Sequence, residues 1–340
     1  QGRAALVAAL QSDGKTGRPA HIRATRSHRS WRLPAYLLSV AVGTALLLAI
    51  VAHGLPHRGD WATVAALSLL AWPLSEALLA LAQRIMAESV RVQALPRLDF
   101  AAGIPERHRT LVVIPTLLTS TASNAQLAHR LELHWLANRE AQAQFALLTD
   151  WADALQASLP EDAPLLEDAI ERIAALNAKY PAPDGTAQRF LVLHRPRTWS
   201  DTEERWMGWE RKRGKLEMLV RLLATGNTSD IGGFLPLAPG QQLAAGRTPY
   251  VLTLDSDTGL PPGALRDLVS IAAHPLNAPE IDAQGRRVVA GFGILQPRIV
   301  TPFPMQHERS LFHWMFAGQC GLDPYGSGAS DIYQDVFGSG

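Results

Sequence analysis

The pattern of apolar positions divides the chain in two. Residues 34–52 form an apolar run without a formal charge, and a second run extends from residue 61 to about residue 81, interrupted by Pro73 and Glu76. A polar break at 54–60 separates them. Each run approaches the roughly 20 residues that a helix needs to cross the apolar core of a bilayer. Two transmembrane helices are therefore predicted within residues 33–87. The competing reading is a buried helical hairpin of a soluble protein, in which apolar runs this long are unusual. A carboxylate is expensive in lipid, so Glu76 is expected to face another helix or to carry its proton.

From Arg109 onward the period changes. Short aliphatic runs at 111–114, 145–148, 189–193 and 250–254 alternate with helical patterns at 121–139, 165–177 and about 202–224. This alternation predicts an α/β fold, a mostly parallel sheet with helices on both faces. Such sheets bind ligands at the carboxyl ends of their strands. Here those ends carry Pro115 and Thr116, Asp150, His194 and Arg195, and Asp255 with Asp257.

Charge alters this picture only locally. With 32 Lys and Arg against 31 Asp and Glu, the formal net charge is +1, which gives no reason to expect a nucleic-acid partner. Residues 1–32 are basic, and Arg84 and Arg91 follow the second apolar run. By the positive-inside rule both ends of the helical pair are expected in the cytoplasm. The expected organisation is a basic tail over 1–32, two spans over 33–87 and a cytosolic domain over 88–340. Cys320 is the one cysteine, so no internal disulfide forms. No signal peptide is evident. The chain begins with Gln and stops at Phe337-Gly-Ser-Gly340, inside what reads as a continuing loop, so a fragment of a longer protein is expected.

Dinucleotide-binding and P-loop glycine patterns are absent, as are H-E-x-x-H and paired-cysteine zinc motifs. Two stretches carry candidate chemistry. The strand at 250–254 runs into Asp255-Ser-Asp257. Side chains alternate along a strand, so the two carboxylates are expected on one side where it ends. Together they suit a divalent cation, which in turn neutralises a phosphate. Asp-x-Asp is also frequent in turns and helix caps, and Pro261-Pro262 downstream favours a helix start. The second stretch, Trp206-Met-Gly-Trp-Glu-Arg-Lys-Arg213-Gly-Lys215, interleaves tryptophan with cations. It reads as a solvated basic helix face, as a nucleic-acid patch or as a diphosphate-binding segment, in which Arg forks onto the anion and Lys acts as a point charge. Asp150 taken alone reads more readily as a turn or cap residue than as a ligand contact.

Taken in order, Val112-Val-Ile-Pro-Thr116, Phe145-Ala-Leu-Leu-Thr-Asp150, His194-Arg-Pro-Arg197, the Trp206–Lys215 stretch, Leu254-Asp-Ser-Asp-Thr258, Gly291-Phe-Gly-Ile-Leu-Gln-Pro-Arg298 and Ser330-Asp-Ile-Tyr-Gln-Asp-Val-Phe-Gly338 are similar to motifs of membrane-bound processive β-glycosyltransferases. The set closely resembles the glycosyltransferase domain of cyclic β-1,2-glucan synthases, over roughly residues 109–340. The resemblance implies a GT-A-like fold and inverting transfer of glucose from UDP-glucose to a growing β-1,2-glucan. It also implies a multi-pass protein of the cell inner membrane, with its catalytic domain on the cytoplasmic side of the lipid bilayer. Thr116, Asp150, Arg195, Arg213, Lys215 and Asp255 are the implied donor contacts, Asp150 towards the uracil. Asp255 and Asp257 are the implied ligands of Mg²⁺ or Mn²⁺, and Gln296 is placed on the acceptor side.

That chemistry builds negative charge on departing UDP, which a divalent cation and Arg or Lys stabilise, and it needs a base on the acceptor hydroxyl. The resemblance places the base beyond Gly340, so Asp331 and Asp335 are read as ordinary loop or helix carboxylates. The 340 residues as a whole are expected to bind donor without sustaining synthesis. The family builds its glucan on a protein-linked intermediate. Tyr180, Tyr250, Tyr325 and Tyr333 are the hydroxyls considered as primer, and Tyr180 is favoured because it lies in a polar loop after a helix; its alternative is helix-end packing. Residues 306–316 form an amphipathic stretch read as core packing or an interfacial helix, and a cytosolic location leaves the Asn227-Thr-Ser229 sequon unused. The second functional reading is a membrane-tethered nucleotide-sugar binding or regulatory module without catalysis.

Overall fold

The structure is a computed structural model and describes residues 32–55, 60–89, 95–182, 187–225, 233–235, 241–244 and 248–297. The expectations for the basic tail, Arg91, the sequon, Cys320, Tyr325, Tyr333, Asp331, Asp335 and the 306–316 stretch lie outside these residues, as does the side chain of Arg84. Two compact units are present: Pro96–Ala278, and a unit formed by the segments on either side of it.

The flanking unit contains helices α1 (Arg32–Gly54) and α2 (Trp61–Ser89). Pro34–Gly54, with mean hydropathy 2.3, and Trp61–Leu79, with 1.5, are long and apolar enough to cross a membrane. The two helices pack together, and Gly43 of α1 lets Leu78 of α2 approach: a Cβ there would meet Leu78 Cδ1 at 3.1 Å. Leu37, Leu38, Leu46, Ile50, Leu69 and Trp72 remain exposed on this unit, an apolar surface of the kind that marks a membrane or protein contact. Glu76 is exposed as well, so of the two expectations for it the one that places it against another helix is not met. Half-buried Leu74, Ser75 and Leu78 take the inner phase of α2, and residue 76 falls outside that stripe.

In the second unit, β1 (Thr110–Leu118), α3 (Thr121–Ala137), β2 (Ala143–Trp151), α4 (Asp162–Lys179) and β3 (Phe190–Arg195) alternate along the chain. A hairpin of β4 (Thr198–Ser200) and β5 (Arg205–Met207) leads to α5 (Arg211–Thr225), β6 (Tyr250–Thr253) and α6 (Ala264–Ala272). The sheet order is β3-β2-β1-β6 and every neighbouring pair is parallel, as the alternating pattern predicts. A short antiparallel hairpin, β7 (Glu280–Ile281) with β8 (Val288–Ala290), belongs to the flanking unit.

The sheet is buried on both faces because its strands are apolar at odd and even positions alike. Val112, Ile114, Phe145, Leu147, Phe190 and Val192 meet α3, α4 and α6 through Leu131, Ile173 and Leu265. The intervening Leu111, Val113, Ala146, Leu148, Leu191 and Leu193 meet Leu219, Leu222 and Leu223 of α5. Strand-by-strand alternation thus assigns each residue a face, and the same period carries on into the polar residues at the strand ends. Ser120 caps α3 by accepting from the Ser123 N–H at 3.1 Å.

Three boundaries differ from the sequence reading. β1 does not stop at Pro115. Its β6 partner pairs only up to Val113, so among the described residues β1 has a free edge beyond that point, where a missing N–H is tolerated. The helix drawn over 202–224 begins only at Arg211. Ahead of it, Trp199 and Trp206 are cross-strand partners of the β4–β5 hairpin, with ring centroids 5.9 Å apart. Tryptophan pairs of this kind stabilise ribbons, and that period-2 signal lay hidden inside a charge-rich segment. Finally, β6 ends at Thr253, and Thr258 N–H bonds to the Asp255 carbonyl at 3.0 Å. Asp255 and Asp257 therefore sit in a turn rather than alternating along a strand.

Candidate functional site

β6 lies beside β1 although α3, β2, α4, β3 and α5 intervene in sequence, so the order of strands reverses between β1 and β6. Open α/β sheets bind ligands at the carboxyl side of such a switch point. Register decides what gathers nearby. Asp150 is the ladder partner of Arg195. Each lies two residues beyond a side chain of the α5-facing set, so both project towards α5.

There they form a bidentate pair: Arg195 Nε donates to Asp150 Oδ1 at 2.9 Å and Nη2 to Oδ2 at 3.1 Å. Lys215 of α5 joins them, its Nζ 3.0 Å from Asp150 Oδ2 and donating to the Thr116 carbonyl at 2.7 Å. The Asp150 and Arg195 side chains are each 2% exposed and that of Lys215 3%. Burial pushes the Lys215 ammonium below its ordinary range, and Asp150 pulls it back up. Two cations share one carboxylate here, so the cluster is formally positive by one unit. Gly208 covers it closely: a Cβ there would stand 2.8 Å from both Arg195 Nη2 and Asp150 Oδ2.

The first turn of α5 reaches a second strand end. Lys212 Nζ pairs with Asp255 Oδ1, with both side chains about half exposed. Lys212, Lys215 and Leu219 share one helical face, since residues three or four apart are neighbours on a helix. Arg213 lies on the opposite side, with its side chain 74% exposed and 3.8 Å from Glu210.

On the other face of the sheet, Thr149 and His194 are ladder partners, and Thr149 Oγ1 lies 2.8 Å from His194 Nδ1. The imidazole meets the Trp151 ring edge-on at 4.0 Å between centroids, and its Nε2 has no hydrogen-bond partner among the described residues. Burial depresses its pKa from 6.5 to about 4, against the opposing pull of Asp150 and Asp162. Next to it, Arg197 donates from Nη2 to Asp162 Oδ1 at 2.9 Å and from Nε to the Ala152 carbonyl at 2.6 Å. Burial alone would raise the Asp162 pKa, but the Arg197 and Leu159 N–H donors outweigh it and hold the carboxyl below its ordinary value.

No family model matches the chain. Over 275 residues, 81% of its length, the chain is 41% identical to the cyclic beta-(1,2)-glucan synthase NdvB of Rhizobium meliloti (strain 1021). This stretch is thus similar to one segment of a cyclic beta-(1,2)-glucan synthase. The chain spans 9% of the length of that relative.

Within the chain the sequence-predicted residues fall into separate groups. Thr116, Asp150, Arg195 and Lys215 come together as one buried cluster, Thr116 through its carbonyl. Asp255 and Asp257 are exposed in the turn after β6, Asp255 against Lys212. Arg213 points away from both groups. Gln296 is exposed and belongs to the flanking unit. Tyr180 ends α4 beside the amino end of β3: its ring lies 4.4 Å from Trp135, and its hydroxyl donates to Glu132 Oε1 at 2.7 Å. Sequence reading passed over Lys212, although its helical phase with Lys215 and Leu219 was the available signal. A cavity lined by Arg97, Phe100, Arg266 and Asp267 shares no residue with these groups.

Among the described residues, no group of three or more His, Cys, Asp or Glu gathers into a metal cage. The donor set at Asp255 and Asp257 fits a different mode. Mg²⁺ is commonly held by one or two carboxylates together with substrate phosphates and water. Two hard, exposed oxygen donors in a turn suit that mode, and the ammonium of Lys212 already neutralises one of them.

Proposed function

We propose that this chain carries the donor-binding part of an inverting glucosyltransferase that uses UDP-glucose to extend a β-1,2-glucan. The observation that carries the reading is the juxtaposition of Lys212 with Asp255 at the reversal of strand order, in a chain similar in sequence to a glucan synthase segment. In this reading the diphosphate lies over the turn at 255–258 and the start of α5. Asp255 and Asp257 hold Mg²⁺ or Mn²⁺, which supplies electrostatic stabilisation of the charge that develops on departing UDP. Lys212 moves from Asp255 to a phosphate oxygen and adds a point charge of the same sign. The buried, formally positive cluster beneath favours the anion without touching it. Gln296 serves the acceptor side, and α1 and α2 anchor the domain in the inner membrane with the α/β unit in the cytoplasm.

Calorimetric titration of the full-length protein with UDP-glucose and Mn²⁺ tests this. Binding is expected to weaken at least about tenfold, roughly 1.4 kcal/mol, on chelation of the metal or in Asp257→Asn. Absence of UDP-glucose binding by the unmodified protein with metal present would overturn the proposal.

A further inference from the structure

The resemblance implies a donor contact for Arg195, but its surroundings give it a different task. A guanidinium has five N–H donors. In Arg195 they meet five acceptors: Asp150 Oδ1 at 2.9 Å, Asp150 Oδ2 at 3.1 Å, the Trp209 carbonyl at 2.8 Å, the Arg211 carbonyl at 3.1 Å and Met218 Sδ at 3.4 Å. No donor is left over for a nucleotide, and the side chain is almost wholly buried.

Two of those acceptors lie in an unusual piece of backbone. Glu210 has φ 51° and Arg211 φ 45°, left-handed values that residues with a Cβ rarely adopt. The turn is closed by the Arg211 N–H on the Gly208 carbonyl at 3.0 Å, and α5 starts directly from it. Arg195 grips this turn from below, at the carbonyls on both sides of Glu210. Gly214 makes room for the grip, since a Cβ there would fall 2.0 Å from the Trp209 carbonyl and 3.0 Å from Arg195 Nη1. The next residue of α5, Lys212, is the one that reaches Asp255.

The geometry points to Arg195 as a positioning residue: held by Asp150, it braces the left-handed turn at 208–211 and so sets Lys212 of α5 against Asp255. This deepens the donor-site reading and rests on it. Arg195 acts through Lys212 and the helix start, not by contact with substrate. Lysine at position 195 keeps the charge beside Asp150 but lacks the planar fork, so it cannot hold Asp150 and both carbonyls together.

The test is a double-mutant cycle in the full-length protein in membranes, with UDP-glucose and Mn²⁺. Arg195→Lys is expected to raise the donor KM about tenfold while changing kcat less than about threefold. In a Lys212→Met background the same substitution is expected to change KM less than about twofold, because the residue it positions is gone. Equal effects in both backgrounds, or an unchanged KM in Arg195→Lys, would overturn the proposal. Gly208→Ala, which crowds the clamp without removing a charge, serves as the second variant if Arg195→Lys does not fold. A readout that needs no donor separates this inference from the functional one. Amide exchange in the first turn of α5 is expected to quicken about tenfold in either variant, while β1 and β2 stay protected. Unchanged exchange sinks the brace even where UDP-glucose binding is confirmed. Quickened exchange without UDP-glucose binding by the unmodified protein leaves the brace standing and overturns its link to a donor.

Discussion

Asp150 and Arg195 are ladder partners at the carboxyl ends of β2 and β3, and their side chains close a bidentate pair on the face that α5 covers. Lys215 adds a second cation to the same carboxylate at 3.0 Å. Removing Asp150 therefore leaves two buried cations facing one another. Asp150→Ala is expected to destabilise the fold by about 3–5 kcal/mol, the range for breaking a buried ion pair. Denaturant unfolding of the full chain in detergent measures it, and a loss below about 1 kcal/mol would contradict the picture of a dry, paired cluster.

His194 makes stability depend on pH. In the unfolded chain it takes a proton near pH 6.5, whereas in the fold burial holds its pKa at about 4. Below pH 6.5 the unfolded state binds the extra proton, so stability falls as pH drops from 6.5 to 4 and this contribution then levels off. The full loss is about 3 kcal/mol. In His194→Gln, which keeps a polar group beside Thr149 and cannot ionise, the slope of unfolding free energy over that window should flatten. Loss of Asp162 ionisation acts only at lower pH, below its ordinary range.

Gly214 and Gly259 provide a paired steric test. A Cβ at Gly214 would collide with the Trp209 carbonyl, while Gly259 has no atom within 4 Å of such a position. Gly214→Ala is expected to lower stability by about 1–3 kcal/mol through overpacking. Gly259→Ala should stay within about 0.5 kcal/mol. Thermal unfolding of both variants checks the contrast.

Asp257 is exposed, and no hydrogen bond or ion pair of its side chain occurs among the described residues. Asp257→Asn should leave the unfolding midpoint within about 1 °C, since an exposed substitution of equal size opens no cavity and buries no unpaired charge. Glucan synthesis by the full-length protein, followed as labelled glucose incorporation, should fall at least about a hundredfold if the carboxylate acts on the leaving group. Unchanged synthesis would remove Asp257 from the site.

The sheet was legible because burial on both faces requires apolar runs such as Leu111–Ile114 and Phe145–Leu148, and few other structures need them. The residues at the strand ends followed from the same frame, so Thr116, Asp150 and Arg195 could be placed before any coordinate. What each one does was less legible. The family resemblance makes Asp150 and Arg195 donor contacts, and only register and the arrival of Lys215 reveal that they bind one another. Lys212 shares a helical phase with Lys215 and Leu219, but that phase alone does not show which strand end the helix start reaches, and the start depends on a left-handed turn. Nothing in Glu210 or Arg211 advertises positive φ, because neither is glycine. The hairpin before α5 was hidden for a related reason: its strands are three residues each, too short for a period to declare itself.

Gly208 and Gly214 bracket this turn with almost no free volume, whereas Arg213 between them points into solvent. Tolerance to change along 208–215 should therefore follow what a Cβ at each position would meet rather than distance from the chemistry. A deep mutational scan would be expected to accept nearly any polar residue at 213 and almost none at 208 or 214. Such a stretch can drift in charge while its backbone stays locked, leaving surface properties free to adapt without disturbing the lysines on the other side.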